Sequence, residues 1–585
     1  MRRLWRYMEG RKLFAALMVL VGAGNAAAQT GGWLIVRNAI DQGIVVRDKH
    51  GVIVGNEHHL TIVVAIYLVV AAAGWILQAW LIRGLATIGQ AVVIALRRHL
   101  FDHLTGLSLR YFSQQKAGWI IARLTSDVDA VSDVLSQGMP TLVSNLILLP
   151  AAVTALLIAD WRLGLISFVV LPPTLILSRW FQRVSHSANL EQRNRIAAVT
   201  AQIAESVAGM AVVQAFNRER RFQAEFDALN EANRAQSTYV QRIFSVFFPS
   251  IELLGVLAMG AVLYFGSHLY EHHTLSIGTL ITAIYLLQLV FQPLQELSDV
   301  YGQLQSAGAA MVKIVSILDE EPEISDWRVA KPLPRLEGDL EIDSIVFAYG
   351  KEPVLHGISF HIAPGGCFAL VGESGHGKST LARLIGRHYD PDEGAVRVDG
   401  HDLRDVELRS YRRQLGVVLQ DPFLFSGTIA SNIRFAKPDA TDEEVEAAAA
   451  AVGVDRVAAR LSGGLEHEVR EGGAGLSAGE RQLISIARAL LADPRILILD
   501  EATSNIDRPT EVLIEQALDR LLRGRTSIII AHRLSTVRRA DEILVVENGQ
   551  IIQRGTEREL LAADGPFRRL AHTLDGGEPE LAAAG

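Results

Sequence analysis

Cysteine is nearly absent: Cys367 is the one thiol in 585 residues. An intrachain disulfide framework and a cysteine-built zinc site are therefore both excluded. A basic surplus is missing too. The formal net charge is −8, which disfavours a nucleic-acid binder. Proline and glycine, at 18 and 49 residues, stay near ordinary levels, so the chain is neither collagen-like nor largely disordered. Apolar residues are what it has: 49% of the chain, with a mean hydropathy of +0.23, unusual for a purely soluble enzyme.

Charge separates the chain into two parts. Residues 1–330 carry 26 Lys+Arg against 24 Asp+Glu, and the remainder carries 30 against 40. The first part holds long uncharged runs at Leu13–Val36, Leu60–Ile82, Val134–Ala159, Leu163–Ser178, Leu253–Tyr270 and Thr274–Gln295. About 20 apolar residues cross a bilayer as a helix, so these runs predict six spans, the fourth and fifth drawing on flanking helix. Asp160-Trp161-Arg162 reads as a tight turn between the third and fourth. Lys and Arg number twenty in the N-terminus and segments 83–133 and 179–242, against four in the opposite connections. That bias puts both termini and the acidic second part in the cytoplasm of a multi-pass protein of the cell (inner) membrane.

Residues 1–28 also carry the outline of a secretory signal, with a basic start, an apolar centre and Ala26-Ala27-Ala28. The apolar stretch continues through Trp33-Leu34-Ile35-Val36, so a retained first span is the reading. Segments 83–133 and 179–242 are too long for loops and read as helices continuing far into the cytoplasm. They are either solvated stalks or the elements that carry force to the second part. Polar residues at membrane depth include Asn25, Gln29, Asn145, Glu252, Gln288 and Gln292. The amides read as interhelical hydrogen bonds. Glu252 either attracts cationic amphiphiles or sits solvated near the interface. His58, His59, His272 and His273 read as solvated outer-loop residues, and Pro172, Pro173 and Pro249 as kinks in spans.

Leu318 through Pro334 is Pro-spaced and acidic and reads as a linker. Beyond it, the apolar strand Cys367–Val371 runs into Gly372-Glu-Ser374-Gly375-His-Gly377-Lys378-Ser379-Thr380, a complete G-x-x-x-x-G-K-[ST] loop. Glycines turn backbone N–H groups inward to cradle phosphates at a helix N-terminus. Lys378 is expected at the β/γ-phosphates, and the Ser379 hydroxyl on Mg²⁺. Ile496–Leu499 is a second apolar strand, ending in Asp500 and Glu501. Asp500 is expected in the Mg²⁺ shell and Glu501 on the attacking water.

Leu476-Ser477-Ala478-Gly479-Glu480, 24 residues before Asp500, resembles the signature of ABC-transporter ATPases. The resemblance extends along the chain. It implies adenine stacking on Tyr349, a role for Gln420 in catalysis and at the metal, a D-loop ending at Asp507, and a switch histidine at His532. Val469–Gly473 matches the loop before the signature, which sets aside Leu461-Ser-Gly-Gly464 as a decoy. In the membrane part, Tyr111-Phe112, Gly118, Arg123–Asp129 and Ala215–Glu219 resemble exporter coupling regions. The implied fold is an all-α six-helix transmembrane domain fused to an α/β P-loop NTPase domain of ABC type. Its expected divisions are 1–318, a linker at 319–337, a nucleotide-binding domain at 338–573 and an acidic tail at 574–585.

Family likeness further implies that one chain's phosphate loop is completed by another chain's signature, so the chain dimerises around ATP and Mg²⁺. Ala478 and Glu480 depart from the usual glycine and glutamine, and Asn505 from a common alanine. These departures favour a heterodimer with a second half-transporter over a homodimer. Glu480, if it points inward, disfavours a triphosphate; the alternative is that it faces solvent. The implied function is ATP-driven export of drugs or lipids. An exporter-fold importer of metal-chelator complexes and a non-transport membrane ATPase are the alternatives.

Overall fold

The computed structural model describes residues 7, 10–44, 55–169, 171–272, 275–324, 330–373, 375–500, 507–531 and 533–574. Two compact units divide the chain: Met1–Thr105 with Ala117–Glu320, and Gly106–Lys116 with Glu321–Gly585.

Uncharged sequence cannot leave its peptide groups unpaired in lipid, and helix is the local way to pair them. The first unit is accordingly helical: α1 (Lys12–Asn38), α2 (Glu57–Gly106) and, past the short α3 (Leu109–Gln114) of the second unit, α4 (Ala117–Ala122), α5 (Val128–Asp133) and α6 (Met139–Ala159). π-helical turns at Arg123–Asp127 and Val134–Gly138 join the last three. Then come α7 (Trp161–Phe168), α8 (Leu171–Ala208), α9 (Met210–Ala215), α10 (Glu219–Glu271) and α11 (Ile277–Leu318). Lys12–Ile44, Glu57–Gly106, Ala117–Ala159 and Glu219–Glu271 are long and apolar enough to cross a membrane, and Ile277–Phe291 is a shorter apolar helix.

The fourth uncharged run is divided between α7 and α8. Asp160 caps α7, its carboxylate accepting from the Arg162 N–H at 2.8 Å. Pro172 and Pro173 fall in the first turn of α8, where their missing N–H groups cost nothing, so they start a helix rather than kink one. Pro249 lies inside α10 without breaking it. α8 packs along α10, with Phe181 stacked on Phe247 at 3.8 Å. α6, α7, α10 and α11 share a second apolar cluster around Leu163, Val262 and Leu286. Polar pairs also bridge helices of this unit: Asn25 Nδ2 of α1 donates to Gln78 Oε1 of α2 at 2.5 Å, and Asn145 Nδ2 of α6 to Glu296 Oε2 of α11 at 2.9 Å.

The second unit is built on two sheets. β1 (Leu340–Ala348), β2 (Pro353–Ile362), β4 (Glu393–Val398) and β5 (His401–Asp402) form an antiparallel sheet in the order β2-β1-β4-β5, while β3 (Cys367–Val371) belongs to the other. With β6 (Leu415–Val418), a small pair β7 (Gly427–Thr428) and β8 (Glu468–Val469), β9 (Ile496–Asp500), β10 (Thr526–Ile530), β11 (Glu542–Glu547) and β12 (Gln550–Gly555), the strand set is complete among the described residues. The larger sheet runs β12-β11-β3-β10-β9-β6, parallel except at β12. All five residues of β3 and of β10 are buried, as a sheet covered on both faces requires. Alternation assigns Ala369, Leu497 and Ile529 to one core, and Leu370, Ile498 and Ile528 to the other.

Candidate functional site

Three strand ends define the site. β3, β10 and β9 lie in register, so Leu370, Ile530 and Asp500 share one edge of the sheet. At about 4.8 Å per strand, the two outer ends stand about 10 Å apart. β6 flanks β9 with Val418 beside Leu499, and Gln420 follows two residues later, exposed. The carboxyl edge of a parallel sheet is where open α/β folds bind ligands.

From Val371 the chain turns into the helix α12 (Lys378–Ile385). A Cβ at Gly372 would come 2.2 Å from the Val546 carbonyl oxygen, so only glycine lets the loop pass there. Gly377 combines φ +98° with a Cβ position 2.6 Å from Leu355 Cδ2, and Gly375 sits at φ +90° in open space. Lys378 is buried, and its Nζ donates to the carbonyl oxygens of Gly372 and Glu373 at 2.7 Å each. Burial holds its pKa below the usual lysine value, opposed by the carboxylates of Asp500 and Glu373. The loop thus closes on its own lysine. Beside it Ser379 is exposed and Thr380 buried. Tyr349 donates its hydroxyl to Thr380 Oγ1 at 3.2 Å and stands edge-on to Phe347 and Tyr389.

Ser374, Glu501 and His532 lie outside the described residues. Those that are described gather at one edge: Gly372, Gly375, Gly377, Lys378, Ser379 and Thr380 after β3, Asp500 ending β9, Gln420 after β6, and Tyr349 against α12. The Ser379 hydroxyl, the Gln420 amide and the Asp500 carboxylate are hard oxygen donors of the kind Mg²⁺ takes together with phosphates.

Ser477 and Gly479 are elsewhere. Ser477 caps the helix Ala478–Leu491 in a capping box with Glu480. This helix packs Leu483, Ile484 and Ala487 into one core, whereas α12 packs Leu381, Leu384 and Ile385 into the other. The two helices cover opposite faces of the sheet. Gly463 of the decoy stretch, at φ +96°, leads only into a 3₁₀ turn, Gly464–Glu466. Asp507 caps the helix Arg508–Leu522, accepting from the Thr510 N–H at 3.2 Å and the Thr510 hydroxyl at 3.0 Å. Those bonds hold its carboxyl below the ordinary range.

Two groups of residues escaped the motif reading. Asn432, 2% exposed, donates to the carbonyl oxygens of Phe425 and Thr428 and accepts from the Phe425 N–H and from Arg488. Arg488 also donates to the carbonyl oxygens of Asn432 and Phe423. The strand-end loop after Gln420 is thereby tied to the Ser477 helix. The available signal was a polar residue inside an apolar stretch, Ile429-Ala430-Ser431-Asn432-Ile433. The second group is α3: Arg110 pairs with Glu323 at 3.2 Å and lies over the Tyr389 ring at 5.6 Å.

Comparison with known proteins decides what this assembly is. The family profile of the ABC transporter transmembrane region matches residues 15–294, and that of the ABC transporter matches residues 355–504. An uncharacterised ABC transporter ATP-binding protein of Bacillus subtilis, YfiC, is 35% identical over 97% of this chain and 93% of its own length. The chain belongs to the ABC transporters.

An ATP-dependent lipid A-core flippase of Syntrophus aciditrophicus is 35% identical to this ABC transporter over 89% of the chain and 86% of its own length. A multidrug efflux ATP-binding/permease protein of Mycobacterium bovis is 35% identical over 98% of the chain, which spans about half of that longer protein. As an ABC transporter, the chain is a multi-pass membrane protein whose C-terminal unit binds ATP and couples its hydrolysis to transport.

Proposed function

We propose that this ABC transporter exports amphipathic compounds, drugs or lipids, across the cytoplasmic membrane as one half of a dimer. The observation that carries it is one chain joining an exporter-type membrane region to a nucleotide site. Relatives named for multidrug efflux, lipid A-core flipping and fatty acid transport support it. Both termini and the ATP-binding unit are cytoplasmic in this reading, as the twenty-to-four Lys/Arg bias requires.

Backbone N–H groups at the start of α12 hold the β- and γ-phosphates, and Lys378 leaves its two carbonyls to reach them. Tyr349 stacks on the adenine. Ser379, Gln420 and Asp500 would hold Mg²⁺, which would supply charge neutralisation at the phosphate oxygens. Glu501 orients and deprotonates the attacking water, and His532 serves as the switch histidine at the γ-phosphate. Gln420 reports the occupied site to the Ser477 helix through the Asn432–Arg488 hydrogen bonds. Ser477 and Gly479 face the partner's ATP, in keeping with the two helices covering opposite sheet faces. Asp507 lies at that same dimer junction.

A second, non-identical half-transporter is the favoured partner, since Ala478, Glu480 and Asn505 weaken the site this chain donates. The exposed Val212 and Phe216, flanking the end of α9, offer the partner's ATP-binding unit an apolar foothold. ATP drives closure only by its differential affinity for the closed dimer.

The test is ATP-dependent accumulation of a fluorescent amphiphile in inside-out vesicles containing this chain and its partner. Uptake into right-side-out vesicles alone would reverse the direction, and hydrolysis without movement would remove transport. A stable, substrate-stimulated ATPase from the purified chain alone would overturn the heterodimer.

A further inference from the structure

We infer that the cytoplasmic rim of the membrane unit holds a site for the anionic headgroup of an amphiphile, a phosphate or carboxylate carried on an apolar chain. The inference rests on the export reading and names its substrate class.

A cavity of about 940 Å³ opens between the end of α5, the middle of α8 and the second half of α11. Its basic wall is one helical face. Arg183, His186, Leu190 and Arg193 follow one another at spacings of three, four and three, so their side chains stack along α8. Opposite them α11 contributes Gly302, Ser306 and Ala309, small residues at the same period, which is why space remains there. Asp133 is the one carboxylate lining the cavity among the described residues.

Two features point to an anion. Among the described residues neither Arg183 nor Arg193 has an ion-pair partner, whereas the adjacent Arg195 is paired with Glu191 at 2.7 Å. A guanidinium presents a fork that fits phosphate or carboxylate with two parallel bonds. Gln303 Oε1, buried in the cavity wall without a hydrogen-bond partner among the described residues, is an acceptor and calls instead for a hydroxyl or amide donor on the same ligand.

Position points to an amphiphile. Asp133 directly precedes the uncharged run of the third span, and Arg183 stands five residues, about 8 Å of helix, beyond the uncharged run ending at Ser178. That is headgroup depth for Arg183, while Arg193 lies ten residues, about 15 Å, further along α8. Phe181 and Tyr301 give the same cavity an aromatic wall for the first carbons of an apolar chain. Basic residues at this depth ordinarily serve as interface anchors, but these line a cavity, which sets a limited capacity and a size limit. Glu252, the sequence candidate for cationic substrates, is exposed on α10 and does not line it.

The experiment uses the full chain in phosphatidylcholine nanodiscs without nucleotide, carrying His186→Cys. Cys367 is the one native thiol and is buried, its pKa pushed up to about 12 by that burial, so maleimide labelling reports residue 186. Dodecyl phosphate and dodecanoate are expected to slow labelling at least fivefold and saturably, while dodecyltrimethylammonium and inorganic phosphate leave it unchanged. Arg183→Gln with Arg193→Gln should weaken that protection at least tenfold; Arg183→Lys should keep most of it, which controls for folding. Equal protection by the ammonium amphiphile, protection by inorganic phosphate alone, indifference to the arginine variants, or no labelling of the unliganded protein would each overturn the inference. Because binding is read without ATP, failed vesicle transport would sink the export reading while leaving headgroup selectivity measurable.

Discussion

The Glu480 carboxylate accepts a hydrogen bond from the Ser477 N–H at 2.8 Å, and the Ser477 hydroxyl accepts one from the Glu480 N–H at 3.2 Å. Glu480 is thus held by a reciprocal pair of bonds. It folds back over the N-terminus of its own helix, placing a negative charge on the dipole end that would otherwise favour a phosphate.

Glu480→Gln keeps both hydrogen bonds and removes the charge. The ATP concentration for half-maximal hydrolysis by the assembled dimer is expected to fall several-fold. Glu480→Ala breaks the box instead and should lower stability by about 1 kcal/mol. An unchanged ATP dependence in the glutamine variant would mean that the charge is not felt across the dimer.

Lys378→Ala should abolish nucleotide binding. The wild-type protein gains about 2.7 kcal/mol from ATP at one hundred times its dissociation constant. Its thermal midpoint therefore rises with ATP, and the variant's should not move. A retained ATP-dependent shift would assign phosphate binding to other groups.

Glu501→Gln should trap ATP in a closed dimer and slow turnover by about 10²- to 10⁴-fold, the range for a lost general base. Single-turnover hydrolysis with radiolabelled ATP measures this directly. Undiminished turnover would show that another group activates the water.

Acid should weaken the ATP-binding unit through His388. Burial, helped by the nearby Arg412 and Arg383, lowers its pKa to about 4 from the ordinary 6.5. The unfolded chain takes up a proton below about pH 6.5 while the folded one resists until about pH 4. Stability present above that window is lost within it, by about 2 kcal/mol at pH 5. Thermal unfolding of the full chain across pH 4–7 should show this slope, flattened in His388→Leu.

Much of this was legible because phosphate binding constrains sequence locally. Gly372, Gly377 and Lys378 sit within seven residues, and the loop they build depends on backbone geometry that glycine alone permits. The Ser477–Glu480 box escaped the reading of that stretch as a signature, although its Ser-x-x-Glu spacing was a signal, and the charge of Glu480 could be read in two directions. What the chain hid was contact between distant segments. Asn432 and Arg488 lie 56 residues apart and carry no motif. Glu296, at the edge of an uncharged run, gave no sign of meeting Asn145 across 151 residues. The division of the fourth span near residue 170 was obscured because hydropathy does not register where a helix stops and restarts.

Length gives α2 a mechanical property of its own. Its 50 residues extend about 75 Å, and hydrocarbon occupies only about 30 Å of that. On the proposed topology the part beyond the span, Arg83 to Gly106, is about 36 Å long and would act as a lever: a tilt of about 10° at the bilayer would swing its tip by about 6 Å. Stroke length would then be set by residue count. Deleting two heptads from that extension of α2 would shorten the throw by more than half without touching a nucleotide contact.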